Sequence, residues 1–304
     1  MKLRDILKVI AAIGAGLLAI CAHSAVRDAE GAFAWVGALA HPALPELSGL
    51  AASHRQAGLF WAINDSGNDA ALVAIDAGLR VAAVVPVDGA INVDWEDLAS
   101  FERDGRAWIL VADTGDNFGL RAESSLLLVP EPEAGAARTT PARVIRFQYE
   151  DGPRDCEAVA VDAPGRRVLL ADKGRHPVGL YELPLDAPEG EVQTARRIAS
   201  FPELVPTAPP RVQTLGGSVG RGTATALDVS ADGLRLLVLS YLSATLFERA
   251  PGQSWAEALV HPRLSQRLPK DPMFEAMAFD AAGQSALLGS EQVPARFYRW
   301  TWAQ

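Results

Sequence analysis

An all-β propeller is the fold class that this sequence predicts, and three observations carry the expectation. A short motif opening on a small polar or acidic residue recurs roughly every fifty to seventy residues, the spacing of a blade-sized repeat. It stands at Ser48-Gly49-Leu50-Ala51, Glu96-Asp97-Leu98-Ala99, Glu157-Ala158-Val159-Ala160, Thr225-Ala226-Leu227-Asp228 and Glu275-Ala276-Met277-Ala278. Each copy is followed by short apolar runs bounded by Gly, Pro, Asn and Asp, the punctuation of strands and turns. Beyond the first residues no segment keeps a helical period for more than about two turns.

The elements follow in order. The motif is the first strand of each unit. Second strands read from Leu59 to Ile63, Trp108 to Ala112, Val168 to Ala171, Leu234 to Leu239 and Ala286 to Gly289. Third strands read from Ala71 to Ile75, Ser125 to Val129, Gly179 to Leu183, Thr245 to Glu248 and Arg296 to Trp300. Fourth strands read from Val81 to Val87, Ala142 to Phe147, Ala195 to Phe201 and Trp255 to Val260, and the fifth unit ends without one. Ala32 to Leu39 reads as a strand with no unit of its own. Pairing it with the last unit closes the ring and removes an exposed sheet edge. Five four-stranded blades are therefore expected. Six is the alternative, because the Pro- and Gly-rich stretch from Pro202 to Arg221 has room for a degenerate blade. An open β-sandwich, or two small β-domains, has the same strand content.

Residues 1–25 read as a secretory signal. Lys2, Arg4 and Lys8 precede an apolar run from Val9 to Ala22 that is short for a membrane span, with small residues at Ala22, Ser24 and Ala25. Leu18-Ala19-Ile20-Cys21 is an imperfect lipobox, so lipidation is one alternative and an uncleaved anchor another. The remainder, 26–304, is expected to be a single domain. It would be an exported monomer, periplasmic or extracellular, without a transmembrane span. The chain has 304 residues, 49% of them hydrophobic, which suffices for one large core. A formal net charge of −9 argues against nucleic acid as a partner. Cys156 has no partner once Cys21 leaves with the signal, and no base adjoins it in the sequence, so a buried inert thiol is expected.

The first strand of a propeller blade lines the central channel, so Ser48, Glu96, Glu157, Thr225 and Glu275 converge on one axis. Carboxylates crowded there raise one another's pKa and call for cations, protons, water or a metal. The turns after the second strands, Asn64-Asp65-Ser66-Gly67-Asn68 and Asp113-Thr114-Gly115-Asp116-Asn117, are near-copies that add hard oxygen donors. A Ca²⁺ site from Glu96, Glu157 and Glu275 with Asp65, Asp113 or Asp116 is the sharp reading. Turn chemistry, in which the carboxylate caps backbone N–H groups and Gly takes positive φ, is the plain one for the two loops. Lys173, Arg175 and His176 supply cations near the same mouth. Glu157, Glu96 and Lys173 are the candidate catalytic residues. Gly216-Gly217-Ser218-Val219-Gly220 matches the G-x-S-x-G pattern without the strand and helix that motif needs, and Arg221-Gly222-Thr223 lacks the Lys of a P-loop.

Taken together, Leu47-Ser48-Gly49-Leu50-Ala51, Asn64-Asp65-Ser66-Gly67, Asp94-Trp95-Glu96-Asp97, Ala112-Asp113-Thr114-Gly115-Asp116-Asn117, Cys156-Glu157-Ala158 and Glu275-Ala276 resemble a largely uncharacterised family of secreted bacterial β-propeller proteins. More distantly the chain is similar to phytase-like, esterase-like and TolB-like propellers, which include calcium-dependent hydrolases and pure binding modules. That resemblance implies the fold, and Asp where Cys156 stands; the chain departs there and at Thr225. Two functions stay open: a metal-assisted hydrolase of an ester, lactone or phosphoester, and a non-catalytic binding propeller of the cell envelope.

Overall fold

The computed structural model describes residues 33–173, 177–188, 190–202, 204, 212–214, 217–219, 223–270 and 273–302. The expected signal at 1–25, Ala32, Arg175, His176, Gly216 and Gly220 lie outside them.

The chain is a β-propeller built of antiparallel meanders. β1 (Phe33–Leu39) is followed by β2 (Leu47–Ala52), β3 (Leu59–Asn64), β4 (Ala71–Asp76) and β5 (Val81–Pro86). Then come β6 (Trp95–Arg103), β7 (Arg106–Asp113), β8 (Ser124–Pro130) and β9 (Arg143–Tyr149), and after them β10 (Cys156–Asp162), β11 (Arg167–Asp172), β12 (Gly179–Pro184) and β13 (Val192–Ser200). A two-stranded ribbon of β14 (Val212–Thr214) and β15 (Gly217–Val219) precedes β16 (Ala224–Val229), β17 (Arg235–Ser240), β18 (Ser243–Glu248), helix α1 (Trp255–Ala258) and β19 (Leu264–Arg267). The chain closes with β20 (Phe274–Phe279), β21 (Ser285–Ser290) and β22 (Ala295–Thr301).

β1 pairs antiparallel with β22, so the first strand completes the last sheet, in the order β1-β22-β21-β20. The innermost strands β2, β6, β10, β16 and β20 stand side by side in a closed circuit. Apolar clusters fill the spaces between neighbouring sheets; one joins Leu110, Phe147 and Tyr149 to Val159, Leu170 and Tyr181, and another joins Trp61 and Leu72 to Trp95 and Ile109. Inner strands are covered on both faces and accordingly read as unbroken apolar runs: every residue of β10 is buried. Outer strands face solvent on one side and alternate, as in β9, where Ile145, Phe147 and Tyr149 point inward between exposed Val144, Arg146 and Gln148.

The sequence expectation fails at one strand. Trp255 to Val260 is not the outer strand of its sheet: Trp255–Ala258 is a helical turn, and the strand that pairs with β18 is β19. The Ser254 hydroxyl accepts from the Glu257 backbone N–H while the Glu257 carboxylate accepts from the Ser254 N–H. This reciprocal cap outweighs the strand-like alternation of the segment. Trp255 is held inward by its indole N–H, 3.1 Å from an Asp162 oxygen, beneath the Arg249 guanidinium. A second feature has no signature in the sequence. β13 and β9 pair in parallel, Val192 opposite Arg146 through Ala195 opposite Tyr149, and join two meanders into one eight-stranded sheet. Their edges are thereby paired instead of exposed.

The inner strands approach closely enough that side chains are limiting. A Cβ on Gly49 would lie 2.9 Å from Asp97 Cα and 2.9 Å from the Leu98 nitrogen, both backbone atoms that cannot step aside. Across the channel the fully buried Asp97 carboxylate accepts from the N–H groups of Leu98 at 2.8 Å, Val159 at 2.9 Å and Leu227 at 3.3 Å, tying β6 to β10 and β16. Gly49→Ala should cost about 1–3 kcal/mol of stability by overpacking. Urea unfolding followed by tryptophan fluorescence measures it, and an unmoved midpoint would show that the inner strands can separate freely.

Candidate functional site

In every inner strand the pairing register slips by one residue, between Leu47 and Gly49, Trp95 and Asp97, Cys156 and Ala158, Ala224 and Ala226, and Phe274 and Ala276. The residue left without a partner is Ser48, Glu96, Glu157, Thr225 or Glu275, the position singled out in the sequence motif. A bulge frees one residue from the ladder and re-aims its side chain. The ring members then divide in two kinds. Ser48 donates to Trp95 O at 3.1 Å and Thr225 to Phe274 O at 3.0 Å, each tying its strand to the next. The three glutamates have no such use.

Glu157 pairs with Lys173, whose ammonium lies against its Oε1. Glu275 accepts from the Tyr241 hydroxyl at 3.1 Å. Glu96 is 6% exposed, and among the described residues its carboxylate has no hydrogen-bond or ion-pair partner. It is the shared member of two oxygen triads, Asp65, Asp94 and Glu96, and Glu96, Asp155 and Glu157; within each triad one oxygen per residue lies within 4.8 Å of the others. Gly115 roofs this cluster. A Cβ there would fall 2.1 Å from a Glu96 oxygen and 2.4 Å from Asp94 Cγ, so any side chain at this position would have to displace both carboxylates. Its φ is not positive, in contrast to Gly67 at +81°, and the positive-φ expectation therefore holds for only one of the two similar loops.

Burial is the largest perturbation throughout. It raises Glu96 well above the carboxylate range, reinforced by the charges of Glu157 and Asp65, and raises Glu275 likewise, with Glu157 and Glu291 adding to it. Asp94 is pushed up to about 6 by burial and by Asp65; Asp155 and Glu291 are also raised. Glu157 rises to about 7 through burial, against the pull of Lys173. Burial works to lower Lys173, but the charges of Glu157, Tyr241 and Asp155 outweigh it and hold the ammonium well above its usual range. Among the described residues, one ammonium against this many acidic groups leaves a site that favours added positive charge.

Asp65 belongs to the cluster, but Asp113 and Asp116 are otherwise engaged. Asp113 pairs with Arg121 at 2.8 Å. Asp116 accepts from the N–H groups of Leu120 and Arg121, both at 2.8 Å, and so caps its own loop. Sequence reading passed over Asp94, Asp155 and Tyr241. Asp94 and Asp155 stand two residues before Glu96 and Glu157, and that shared spacing was the available signal; Tyr241 had none. Cys156 is buried, and burial pushes its thiol up to about 12, so it is inert at neutral pH.

The opposite end of the channel is a cavity of about 710 Å³ lined by Ala52, Ser100, Val161, Asp228 and Phe279 from the inner strands. Asp228 accepts from Phe279 N–H at 2.7 Å, and burial pushes it up to about 7.

Fold and site together define a β-propeller with a buried acidic centre at one end of its channel. No protein-family model matches the chain, and no curated protein sequence is similar to it. Among the solved structures that are similar at low identity are the following three. The β-propeller domain of Cps50 (Swd1) from Myceliophteria thermophila is 12% identical over 85% of this chain and 65% of its own, less than two thirds of that domain, with a TM-score of 0.42. A gluconolactonase from Xanthomonas campestris is 15% identical over 84% of this chain and 72% of its own, TM-score 0.46. Hydrazine synthase of Kuenenia stuttgartiensis is 10% identical over 87% of this chain and 97% of its own, TM-score 0.47.

The titrations have a definite sign. Asp228 carries a proton in the folded state up to pH about 7, whereas its ordinary value is 3.8, so the folded state binds the extra proton between the two. That stability is complete below 3.8 and is lost as pH rises through 7. Glu157 and Asp94 act in the same direction. In chelator, the melting temperature should fall by several degrees from about pH 5 to about pH 8, and Asp228→Asn should make the fall shallower. A flat profile in the parent protein would contradict the assigned titrations.

Proposed function

We propose that the protein is a five-bladed propeller hydrolase of an ester, lactone or phosphoester, dependent on a hard divalent cation, Ca²⁺ being the best match. The observation that carries this reading is Glu96, buried, unpartnered among the described residues and shared by two triads of carboxylate oxygens. An isolated buried carboxylate is expensive unless a counter-charge meets it. The donors are all oxygens, which suits Ca²⁺ and disfavours softer metals. Glu96 with Asp65 and Asp94 would hold the ion, which leaves Glu157 for proton transfer. When bound, the ion supplies Lewis acidity that polarises a carbonyl or phosphoryl oxygen.

The chain's own residues supply the rest. Lys173 fixes one oxygen of Glu157 and leaves the other, which has no hydrogen-bond partner among the described residues, to take a proton from water. The water oxygen adds to the acyl carbon, the ester C–O bond breaks, and the proton returns from Glu157 to the leaving oxygen. Glu275, held by Tyr241, lines the far side of the ring. The protein acts as an exported monomer, its leader being residues 1–25. No helix among the described residues is long and apolar enough to cross a membrane.

Ca²⁺ at about a hundredfold excess over its Kd should stabilise the protein by about 2.7 kcal/mol, a rise of roughly 5 °C or more in melting temperature. EDTA should reverse the rise and Glu96→Gln should abolish it, while Glu157→Gln should lower kcat by about 10²–10⁴-fold on chromogenic esters. A midpoint indifferent to Ca²⁺ and EDTA removes the metal from the site. Binding without turnover of any ester, lactone or phosphoester would make the protein a binding propeller instead.

A further inference from the structure

The loops at the acidic end of the channel carry an unusual share of exposed apolar side chains. Ile91 is 75% exposed, Val93 56%, Phe118 87% and Leu120 81%, with Met273 and Val293 further round the same face. The loops at the opposite end carry only Val260 among the described residues. Large apolar side chains gathered at one place on a surface mark a binding face, whereas single ones need no explanation.

These four side chains are mounted on the walls of the carboxylate cluster. Ile91 and Val93 flank Asn92, whose amide donates to Asn64 O at 3.0 Å and Asp65 O at 2.8 Å, and whose carbonyl accepts from Trp95 N–H at 3.0 Å. That loop runs straight into Asp94. Phe118 and Leu120 project from the loop that begins with Gly115, the roof of Glu96 and Asp94. Asp116 caps that loop through Leu120 and Arg121, and Arg121 clasps Gly115 O at 3.0 Å and Asp113 at 2.8 Å. Both loops are thus fastened by hydrogen bonds while their apolar side chains stand outward.

We infer that the ligand of this site is an acyl amphiphile: a carboxylic ester or lactone whose carbonyl end enters the acidic centre and whose alkyl chain lies along Ile91, Val93, Phe118 and Leu120. This rests on the proposed hydrolase for the carbonyl end only; the chain's seat is independent of turnover. With a divalent cation offsetting the carboxylates, a neutral head with an apolar tail fits a face that sets them beside hydrophobes. An anionic lipid surface does not, because Asp65, Asp94 and Glu291 occupy the same face of a chain whose net charge is −9.

Calorimetric binding of alkyl γ-lactones of about six to about twelve carbons, with Ca²⁺ present, tests the inference, alongside turnover of the same series and co-sedimentation with phosphatidylcholine vesicles. Affinity should rise about twofold per added methylene, part of the gain available on full burial. The slope should flatten in the Phe118→Ser, Leu120→Ser double variant, whose melting temperature should match the parent because both side chains are exposed. A rising slope without turnover keeps the acyl seat and overturns the hydrolase. Turnover with no dependence on chain length keeps the hydrolase and overturns the acyl seat. Retention on vesicles without affinity for the lactones overturns it in favour of a membrane-docking face.

Discussion

Each inner strand carries one residue more than the strand beside it needs, and the chemistry at the mouth of the channel depends on that surplus. In a regular ladder, Glu96, Glu157 and Glu275 would have alternated into the packed space between sheets, where Leu98, Val159 and Met277 now lie. The bulge moves them out of the alternation. It also separates two needs that compete for the same position: strands must be tied to one another, and a site needs side chains without structural duties. Ser48 and Thr225 do the tying through carbonyls of the next strand, and the glutamates are left for chemistry.

Keeping carboxylates in such a place requires space and dipoles as well as charge. Gly115 provides space above Glu96 and Asp94, and Gly49 lets two inner strands meet backbone to backbone. Asp97 is the comparison that clarifies Glu96. Both are buried, one residue apart, on the same strand; burial raises both. Asp97 is compensated by three backbone N–H groups and serves as a structural tie between strands. Glu96 has no such compensation among the described residues. A carboxylate satisfied by the backbone is architecture, and one left unsatisfied is a request for a ligand.

The two ends of the channel differ for the same reason. At one end, bulged glutamates, exposed apolar loops and the Lys173 ammonium make a one-sided mouth. At the other, the inner strands end in Ala52, Ser100, Val161, Asp228 and Phe279 around an open cavity. The Ser48 and Thr225 positions interrupt the acidic ring, so the mouth is polarised toward Glu96 and Glu157, with Lys173 on their side.

Much of this was legible in the residues themselves. Burial on both faces makes a strand read as an unbroken run, and burial on one face makes it alternate, so inner and outer strands could be told apart, and the lone strand before the first motif announced the closure with β22. The ring positions were readable because a polar residue that opens a run of Leu, Ala and Val has no place in a core. Other features depend on contacts between segments distant in the chain. The parallel pairing of β9 with β13 has no pattern in either segment, and Trp255 is turned inward by Asp162, far away in the chain, although the Ser254–Glu257 cap that makes Trp255–Ala258 helical is local. Asp113 and Asp65 stand in near-identical turns, yet Arg121 claims one and Asp94 and Glu96 gather the other. Sequence by itself determined which residues would open the innermost strands; the tertiary structure alone decided which of them remain unpaired, because a partner is a matter of distance in space.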